Sequence, residues 1–331
     1  MKIEGKKILH YSCSENGALS RLAPIARGRI EHFIKFIAIS LRVIALPSLL
    51  AACGSMPIAQ KTLTDASARA LLDESQRAHG GKAAFAAIRD VSVAYDGQWF
   101  DLITRIQPIL TDKTFRKSSE ERMLLSENIV AQMHTGIGGN KMVLRDANLS
   151  LPARTPVWFN GMLAADREKI DAAHLVVEAY QFFLYPAFYV ERASHIERAG
   201  TGSVGGRECD LLLAVMRPGI GNSAEDRVLL YIDQQDKLVK RVRLTLEGLE
   251  STKGALVDVD HSQFVDIAGI RWPTHFYESL AAPFPGLPAH DFSVVGLDVN
   301  RGLTKADFVG ASYSARAASP AVRLMTGTAE K

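Results

Sequence analysis

The sequence predicts an α+β fold in which helices cover one face of a single antiparallel sheet. Three observations predict it: a helical pattern over 65–79, a change to period-two alternation from Val91 onward, and a second helical stretch over 164–180. Many short strands joined by tight turns favour an antiparallel meander over parallel βαβ units.

The first helix is predicted over 65–79 from an apolar stripe along 68–78. Thr64 or Asp65 can serve as its N-cap, and Gly80-Gly81 ends it, because glycine adopts the left-handed conformation easily. His79, at the end of this helix, is expected to be an imidazolium favoured by the helix dipole. A short helix over 82–88 is expected next.

Strands are predicted wherever apolar and polar residues alternate between turn residues. Asp96-Gly97 is expected to be a hairpin turn, and Glu120-Glu121 an exposed turn. The predicted strands are 91–95, 101–106, 114–116, 121–125, 128–134, 141–144, 195–199, 207–215, 227–233, 237–246, 255–266, 270–278 and 292–299.

A curved sheet with large apolar residues on its concave face must have that face covered. Only the helical regions 64–88 and 164–190 are available as covers. A cavity between sheet and helices is the natural consequence, although a filled core is equally allowed.

The N-terminal segment has the features of an export signal. A basic flank, a short apolar run and small residues precede Cys53, whereas Arg42 and Pro47 interrupt the run and argue against a membrane span. We therefore predict a signal peptide over 1–52, of which 1–30 is expected to be an over-extended start. Residues outside this segment comprise 31 basic and 33 acidic side chains, so the sequence predicts no nucleic-acid partner.

Residues 50–53, Leu-Ala-Ala-Cys, resemble the lipobox of bacterial lipoprotein signal peptides. The resemblance implies cleavage before Cys53 and acylation of that residue, with palmitate among the attached groups. These acyl chains would anchor the protein to a membrane. Gly54 and Ser55 follow, and the lipoprotein rule carried over from that family then implies the outer membrane, with the domain facing the periplasm.

Several phrases of the chain resemble the superfamily of LolA-like periplasmic lipoprotein carriers. They are Ala78–Gly81, Tyr95–Trp99, Gly206–Asp210, Val228–Asp233, Leu238-Val239, Val265–Thr274 and Leu297–Asn300. The resemblance implies an unclosed β-barrel, or half-barrel, with helices covering its concave face and a lipid or acyl chain bound there. It implies a half-barrel domain over 64–310 with a helical insertion at about 160–190. The sequence itself predicts a lipidated tether over 53–63 and a flexible tail over 311–331.

Aromatic residues crowd the central insertion, where they either line an apolar pocket or form ordinary core. The candidate ligand-binding residues are Trp99, Trp158, Phe159, Phe182, Phe183, Tyr185, Phe188, Leu244, Trp272 and Phe276. The loops 281–290 and 217–222 are either lips of such a pocket or passive connections. An apolar pocket with few polar groups suits acyl chains.

Other chemistry has weak signals in this sequence. Asp258, Asp260 and His261 are close together but lack the spacing of a metal motif, and no Gly-x-Ser-x-Gly is present. Cys209 is expected to be a buried residue without a disulfide partner. We therefore predict no catalytic residue, cofactor or metal. Three hypotheses remain: a lipid-binding lipoprotein, a structural or assembly lipoprotein that binds a protein partner without a cavity, and a hydrolase with an unrecognised site.

Overall fold

A computed structural model describes residues 55–60, 65–149 and 156–308. The predicted signal peptide, Cys53 and the predicted tail over 311–331 lie outside the described residues. The helices are α1 (Ala66–Ala78), α2 (Lys82–Ala86), α3 (Asp101–Ile106), α4 (Pro108–Thr111), α5 (Arg167–Leu184) and α6 (Pro186–Tyr189), with short 3₁₀ turns at Val190–Arg192, Glu250–Thr252 and Lys305–Phe308.

Thirteen antiparallel strands form one sheet. They are β1 (Asp90–Trp99), β2 (Ser118–Leu124), β3 (Ile129–Gly136), β4 (Gly139–Asp146), β5 (Val157–Phe159), β6 (Met162–Leu163), β7 (His195–Val204), β8 (Arg207–Met216), β9 (Asp226–Asp233), β10 (Val239–Thr245), β11 (Leu256–Ile267), β12 (Ile270–Ala282) and β13 (Leu287–Val299). Their order is β6-β5-β4-β3-β2-β1-β13-β12-β11-β10-β9-β8-β7. Neighbours in the sheet are neighbours in sequence, except that β1 pairs with β13.

The sheet is not closed, because its edges β6 and β7 do not pair among the described residues. Helix α5 connects these two edges in sequence and contacts both halves of the sheet, through β4 and β12. The α+β half-barrel with helices over its concave face is therefore confirmed. The main apolar cluster combines α1, α5 and α6 with the inner side chains of the sheet.

Helix α1 forms where the sequence predicts it. The Asp65 carboxylate accepts a hydrogen bond from the Ser67 backbone N–H at 2.8 Å and so caps the first turn. Gly80 follows the helix with φ of +112°, and a Cβ there would collide with the carbonyl of Gly269. Glycine is thus required both by the backbone conformation and by the approach of the β11–β12 turn.

The strands predicted over 101–106 and 114–116 are wrong. Residues 101–106 form helix α3, although Ile103, Thr104 and Ile106 are of the types that favour strands. Asp101 lies in the first turn, where the helix dipole favours a carboxylate, and Ile103 is buried in the core. Residues 114–116 belong to a turn in which the backbone N–H groups of Phe115 and Arg116 donate to the Asp112 carbonyl at 2.9 and 3.0 Å.

Two predicted turns are also wrong. Asp96-Gly97 lies within β1, and Gly97 pairs with Phe292 in β13. A Cβ at Gly97 would collide with Phe292, so this glycine permits the close approach of a strand. Glu120 and Glu121 lie within β2, and Glu121 is only 1% exposed.

Residues 55–60 lie on the convex face of the sheet. The Arg243 and Arg227 guanidinium groups donate to the carbonyls of Ser55 and Pro57 at 3.2 and 2.9 Å. Met56 is 8% exposed in a second apolar cluster with Leu213 and Leu229. This part of the predicted tether therefore packs against the domain.

Candidate ligand-binding cavity

A cavity of about 430 Å³ lies between helix α5 and the concave face of the sheet. We call it the first cavity. Its lining is mostly apolar: Ile103 and Leu110 come from α3 and α4, Val176 and Phe183 from α5, and Leu244 from β10. Its volume is in the range typical of small-molecule sites.

The rim of the first cavity includes exposed apolar side chains. Ile106 and Phe284, both in its lining, are 44% and 58% exposed, so the cavity reaches solvent on this side. The Gln107 side-chain amide donates to the carbonyl of Ser251 at 2.6 Å. This bond connects the α3–α4 segment to the 251–255 loop, which forms the opposite part of the lining.

Helix α5 is held over the sheet by buried charge. Burial would raise the pKa of the Glu178 carboxyl, but contact with His174 and the charge of Arg145 outweigh it and lower that pKa to about 2. Arg145, in β4, donates to Glu178 at 2.6 Å, and the backbone N–H of Gly221 donates to the other carboxylate oxygen at 2.7 Å. Glu178 thereby connects α5 to both halves of the sheet.

One wall of the first cavity combines aromatic and polar side chains. Trp99 pairs with His290 across β1 and β13, and Glu278 pairs with His290 across β12 and β13. The Trp99 and His290 rings stack at 3.9 Å, with an angle of 3° between their planes. His290 also stacks on Phe292 at 4.4 Å. The sheet register thus brings three side chains from three strands into one row.

Arg116 lies beside this wall and is only 4% exposed. Its guanidinium is 4.7 Å from the centre of the Trp99 ring and 5.5 Å from that of Tyr180. It donates to the Leu110 carbonyl at 2.7 Å and to the Tyr180 hydroxyl at 2.8 Å. Both acceptors are neutral, and among the described residues Arg116 forms no salt bridge with a carboxylate.

Two buried carboxyl groups that are within the electrostatic influence of Arg116 have raised pKa values. Burial raises the pKa of Glu278 to about 7 and that of Glu121 to about 8, although the charge of Arg116 opposes both shifts. Burial also holds the pKa of His290 well below its ordinary value. Near pH 7 Arg116 is therefore permanently charged, the Glu278 carboxyl is about half protonated, and the His290 ring is neutral.

The structure places three of the ten predicted ligand-binding residues in the first cavity. Trp99, Phe183 and Leu244 line it. Tyr185 and Phe188 instead line a second cavity of about 380 Å³, together with Phe85 and Met123. Their role as ligand contacts stays a prediction.

The other five predicted residues lie outside both cavities. Trp272 and Phe276 are fully buried, and the Phe276 ring stacks on Phe292 at 4.9 Å. Phe182 packs edge-to-face on Tyr189 at 4.5 Å. In β5, Phe159 packs on Phe115, while Trp158 joins a small cluster with Leu124, Met142 and Phe308. The interior is thus filled at some positions and hollow at others.

The two loops proposed as lips differ. The predicted 281–290 loop is shorter than expected, because residues 281–282 belong to β12 and residues 287–290 to β13. Pro283 and Phe284 from the turn between them, and Ala289 from β13, belong to the lining of the first cavity. The 217–222 loop contacts α5 instead: besides the Gly221–Glu178 bond, the Asn222 amide donates to Asp171 at 2.7 Å. It holds the helix in position.

Arg116 and Glu278 were not among the predicted site residues, and His290 was included only as the end of the 281–290 loop. Glu278 has the same strand parity as Trp272 and Phe276, so period-two alternation was an available signal for it. Arg116 lies in a turn, where no periodicity indicates the direction of a side chain. The burial of His290 depends on the pairing of β13 with β1, strands that are far apart in sequence.

Three remaining candidates have structural roles in the described chain. The expectation for His79 is wrong: it is 3% exposed, and burial lowers its pKa to about 4, so it is neutral. Asp258 and Asp260 pair with Arg243 and Arg241 on the convex face.

Cys209 is buried, and burial raises the pKa of its thiol to about 11. Within the described residues, no group of three or more histidine, cysteine, aspartate or glutamate side chains is arranged to hold a metal ion.

Neither a family model nor a curated protein matches this sequence. Solved structures do match, at 11% identity. An outer membrane lipoprotein-sorting protein domain from Vibrio parahaemolyticus matches over 73% of this chain and 97% of its own, with a TM-score of 0.38. A LolA superfamily protein from Nitrosomonas europaea matches over the same shares, with a TM-score of 0.41.

A DUF1329 family protein from Desulfovibrio piger matches over 75% of this chain and 99% of its own, with a TM-score of 0.44 and 11% identity. Among the helices of the described residues, none has the length and apolar character needed to cross a bilayer.

Proposed function

We propose that this protein binds a lipid, an acyl chain or another hydrophobic ligand in the first cavity. The observation that carries the proposal is the cavity itself, a mostly apolar space of about 430 Å³ under α5 with exposed apolar side chains at its rim. Transfer of a methylene group from water to such a space contributes about 0.8 kcal/mol. A ligand chain of several methylenes would therefore bind without many polar contacts.

We further propose that the protein acts at a membrane surface, anchored through a lipid on Cys53. Only Gly54 separates Cys53 from Ser55, whose carbonyl is bound by Arg243 on the convex face. An anchor two residues before Ser55 in the sequence would tether the domain through this face. The Gly54-Ser55 pair after the cysteine supports anchoring in the outer membrane, with the domain facing the periplasm.

The ligand-binding proposal is tested with the neutral fluorophore 1-N-phenylnaphthylamine and purified full-length protein. We expect the fluorescence to rise on binding and to fall when a long-chain lipid displaces the probe. Ala179→Phe places a ring into the first cavity, since Ala179 lines it from α5, and should abolish the rise. Ala83→Phe, at an exposed position of α2, is the matched control.

Two results would contradict the proposal: no probe binding by the wild-type protein, or equal binding by Ala179→Phe and wild type. Circular dichroism of both variants shows whether each remains folded. A structural lipoprotein that binds only a protein partner would give the first of these results. The anchor has its own test, because Cys53→Ser should abolish incorporation of labelled palmitate and release the protein from membranes.

A further inference from the structure

The strongest unexplained feature of the first cavity is the buried positive charge of Arg116. A buried charge is costly unless an opposite charge or hydrogen bonds compensate it. Here the two bonds to neutral oxygens and the faces of Trp99 and Tyr180 compensate it only in part. Some of its N–H groups have no acceptor among the described residues.

The position of Arg116 directs this charge toward a ligand. Arg116 belongs to the lining of the first cavity, and its bonds to Leu110 and Tyr180 fix the guanidinium in place. The Trp99 indole N–H donates to the backbone carbonyl of Arg116 at 3.0 Å and so holds the backbone of this residue in place. A preorganised guanidinium of this kind matches the geometry of carboxylate and phosphate groups.

The surrounding groups leave this charge free to act on a ligand. Glu278 lines the same cavity, with its side chain 16% exposed, and its carboxyl lies 4.0 Å from His290. The Glu121 carboxyl accepts from the Gln132 amide at 2.7 Å. Lys141, the nearest buried lysine, is paired with Asp112 at 2.7 Å. No described carboxylate therefore neutralises Arg116 directly.

We propose that the ligand of the first cavity is a single-chain amphiphile with an anionic head, and that Arg116 binds this head. This inference rests on the proposed function and adds the chemical class of the ligand to it. The chain would lie against Phe183, Val176 and Leu244, and the carboxylate or phosphate would reach Arg116 beside Glu278. A protonated Glu278 can donate a further hydrogen bond to the same head.

The test uses the wild-type protein and amphiphiles of one chain length that differ only in their heads. A carboxylate, a phosphate, an alcohol, a methyl ester and a quaternary ammonium compete in turn with bound 1-N-phenylnaphthylamine at pH 7. We expect an anionic head to bind about tenfold to a hundredfold more tightly than the alcohol or ester, which is the usual size of a hydrogen bond to a charged group. The carboxylate and phosphate arms show which anion is preferred.

Arg116→Met should remove the preference for an anionic head and leave the affinity for the alcohol nearly unchanged. Arg192→Met is the matched control, because Arg192 also lies 4.7 Å from a tyrosine ring, that of Tyr189, and bonds to its hydroxyl, but lines the second cavity and not the first. A loss of the preference in Arg192→Met alone would place the anionic head in the second cavity and overturn the role of Arg116. Equal binding of the acid and its ester, or tighter binding of the ammonium compound, would contradict the proposed anionic head. Neither result would contradict the binding of a hydrophobic ligand in the first cavity. Failure of every amphiphile and of the probe would instead overturn the proposed function. The comparison of heads on wild-type protein holds even where Arg116→Met does not fold.

Discussion

Arg145 in β4 and Glu178 in α5 form a buried ion pair at 2.6 Å, with side chains 3% and 8% exposed. The same carboxylate also receives the backbone N–H of Gly221, from the loop after β8. One side chain thus fixes the helix that covers the cavity against strands from both ends of the sheet.

Arg145→Met should destabilise the protein by about 3–5 kcal/mol, because it leaves the Glu178 carboxylate buried without its main cation. Urea unfolding followed by circular dichroism measures the change. Arg271→Met is the control: Arg271 pairs with Asp266 at 2.8 Å, but both side chains are exposed, and such pairs contribute about 1 kcal/mol or less. Equal losses of unfolding free energy in the two variants would contradict a stabilising role of the buried pair.

The sequence was sufficient to predict those parts of the fold that local chemistry determines. The β7–β8, β9–β10 and β11–β12 hairpins follow from alternating residues and short turns, and α1 follows from its cap and its terminal glycines. The α3 helix was not predictable in this way, because its residues favour strands and only packing over the cavity rim makes it helical. The candidate site was predicted only in its apolar part, from aromatic residues and from Leu244.

The polar part of the site depends on pairings between distant segments. Glu278, His290 and Trp99 meet only because β13 lies between β12 and β1, and this arrangement joins the two ends of the domain. No local pattern specifies such a pairing. The direction of the Arg116 side chain likewise depends on the position of Tyr180 in a helix that follows much later in the chain.

Glu278→Gln should stabilise the protein at alkaline pH. The pKa of Glu278 is raised from 4.5 to about 7, so the folded state binds a proton that the unfolded state has already released. The wild type therefore loses stability relative to the variant as pH rises from 4.5 to 7, by about 3 kcal/mol in total, and the difference stays constant above pH 7.

The measurement is the urea midpoint of both proteins at pH 4, 6 and 8. Glu250→Gln is a suitable control, since the Glu250 side chain is 86% exposed and its substitution should leave the pH profile of stability nearly unchanged. A wild-type protein that gained stability relative to Glu278→Gln as pH rose would contradict the assignment of a neutral carboxyl.

Gln107→Ala should accelerate both binding and release of the fluorescent probe. The Gln107–Ser251 bond connects the two sides of the cavity mouth, and removal of one hydrogen bond of this kind changes a rate by about twofold to tenfold. Stopped-flow fluorescence measures the rates, and the equilibrium affinity should change little. Thr104→Ala removes a bond within α3, from the hydroxyl to the Asp101 carbonyl, and serves as the control. Unchanged rates in Gln107→Ala would show that the mouth does not open at this bond.

His79 connects the end of α1 to two strands. Its substitution should remove part of the loss of folding stability that occurs as pH falls below 6.5. The Nδ1 atom lies 2.9 Å from the Arg271 carbonyl, and Nε2 accepts from the Val239 backbone N–H at 3.1 Å, an arrangement that requires the neutral ring protonated at Nδ1.

Burial lowers the pKa of His79 from 6.5 to about 4, so the unfolded state binds a proton first as pH falls. The stability contributed by the neutral ring is complete above pH 6.5 and is lost progressively toward pH 4, by about 3 kcal/mol. In His79→Gln this loss should be absent, and the difference between wild type and variant should therefore shrink from pH 7 to pH 4. His275→Gln, at a side chain that is 28% exposed, is the control. An imidazole NMR signal of His79 that titrated near pH 6.5 would contradict the buried neutral ring.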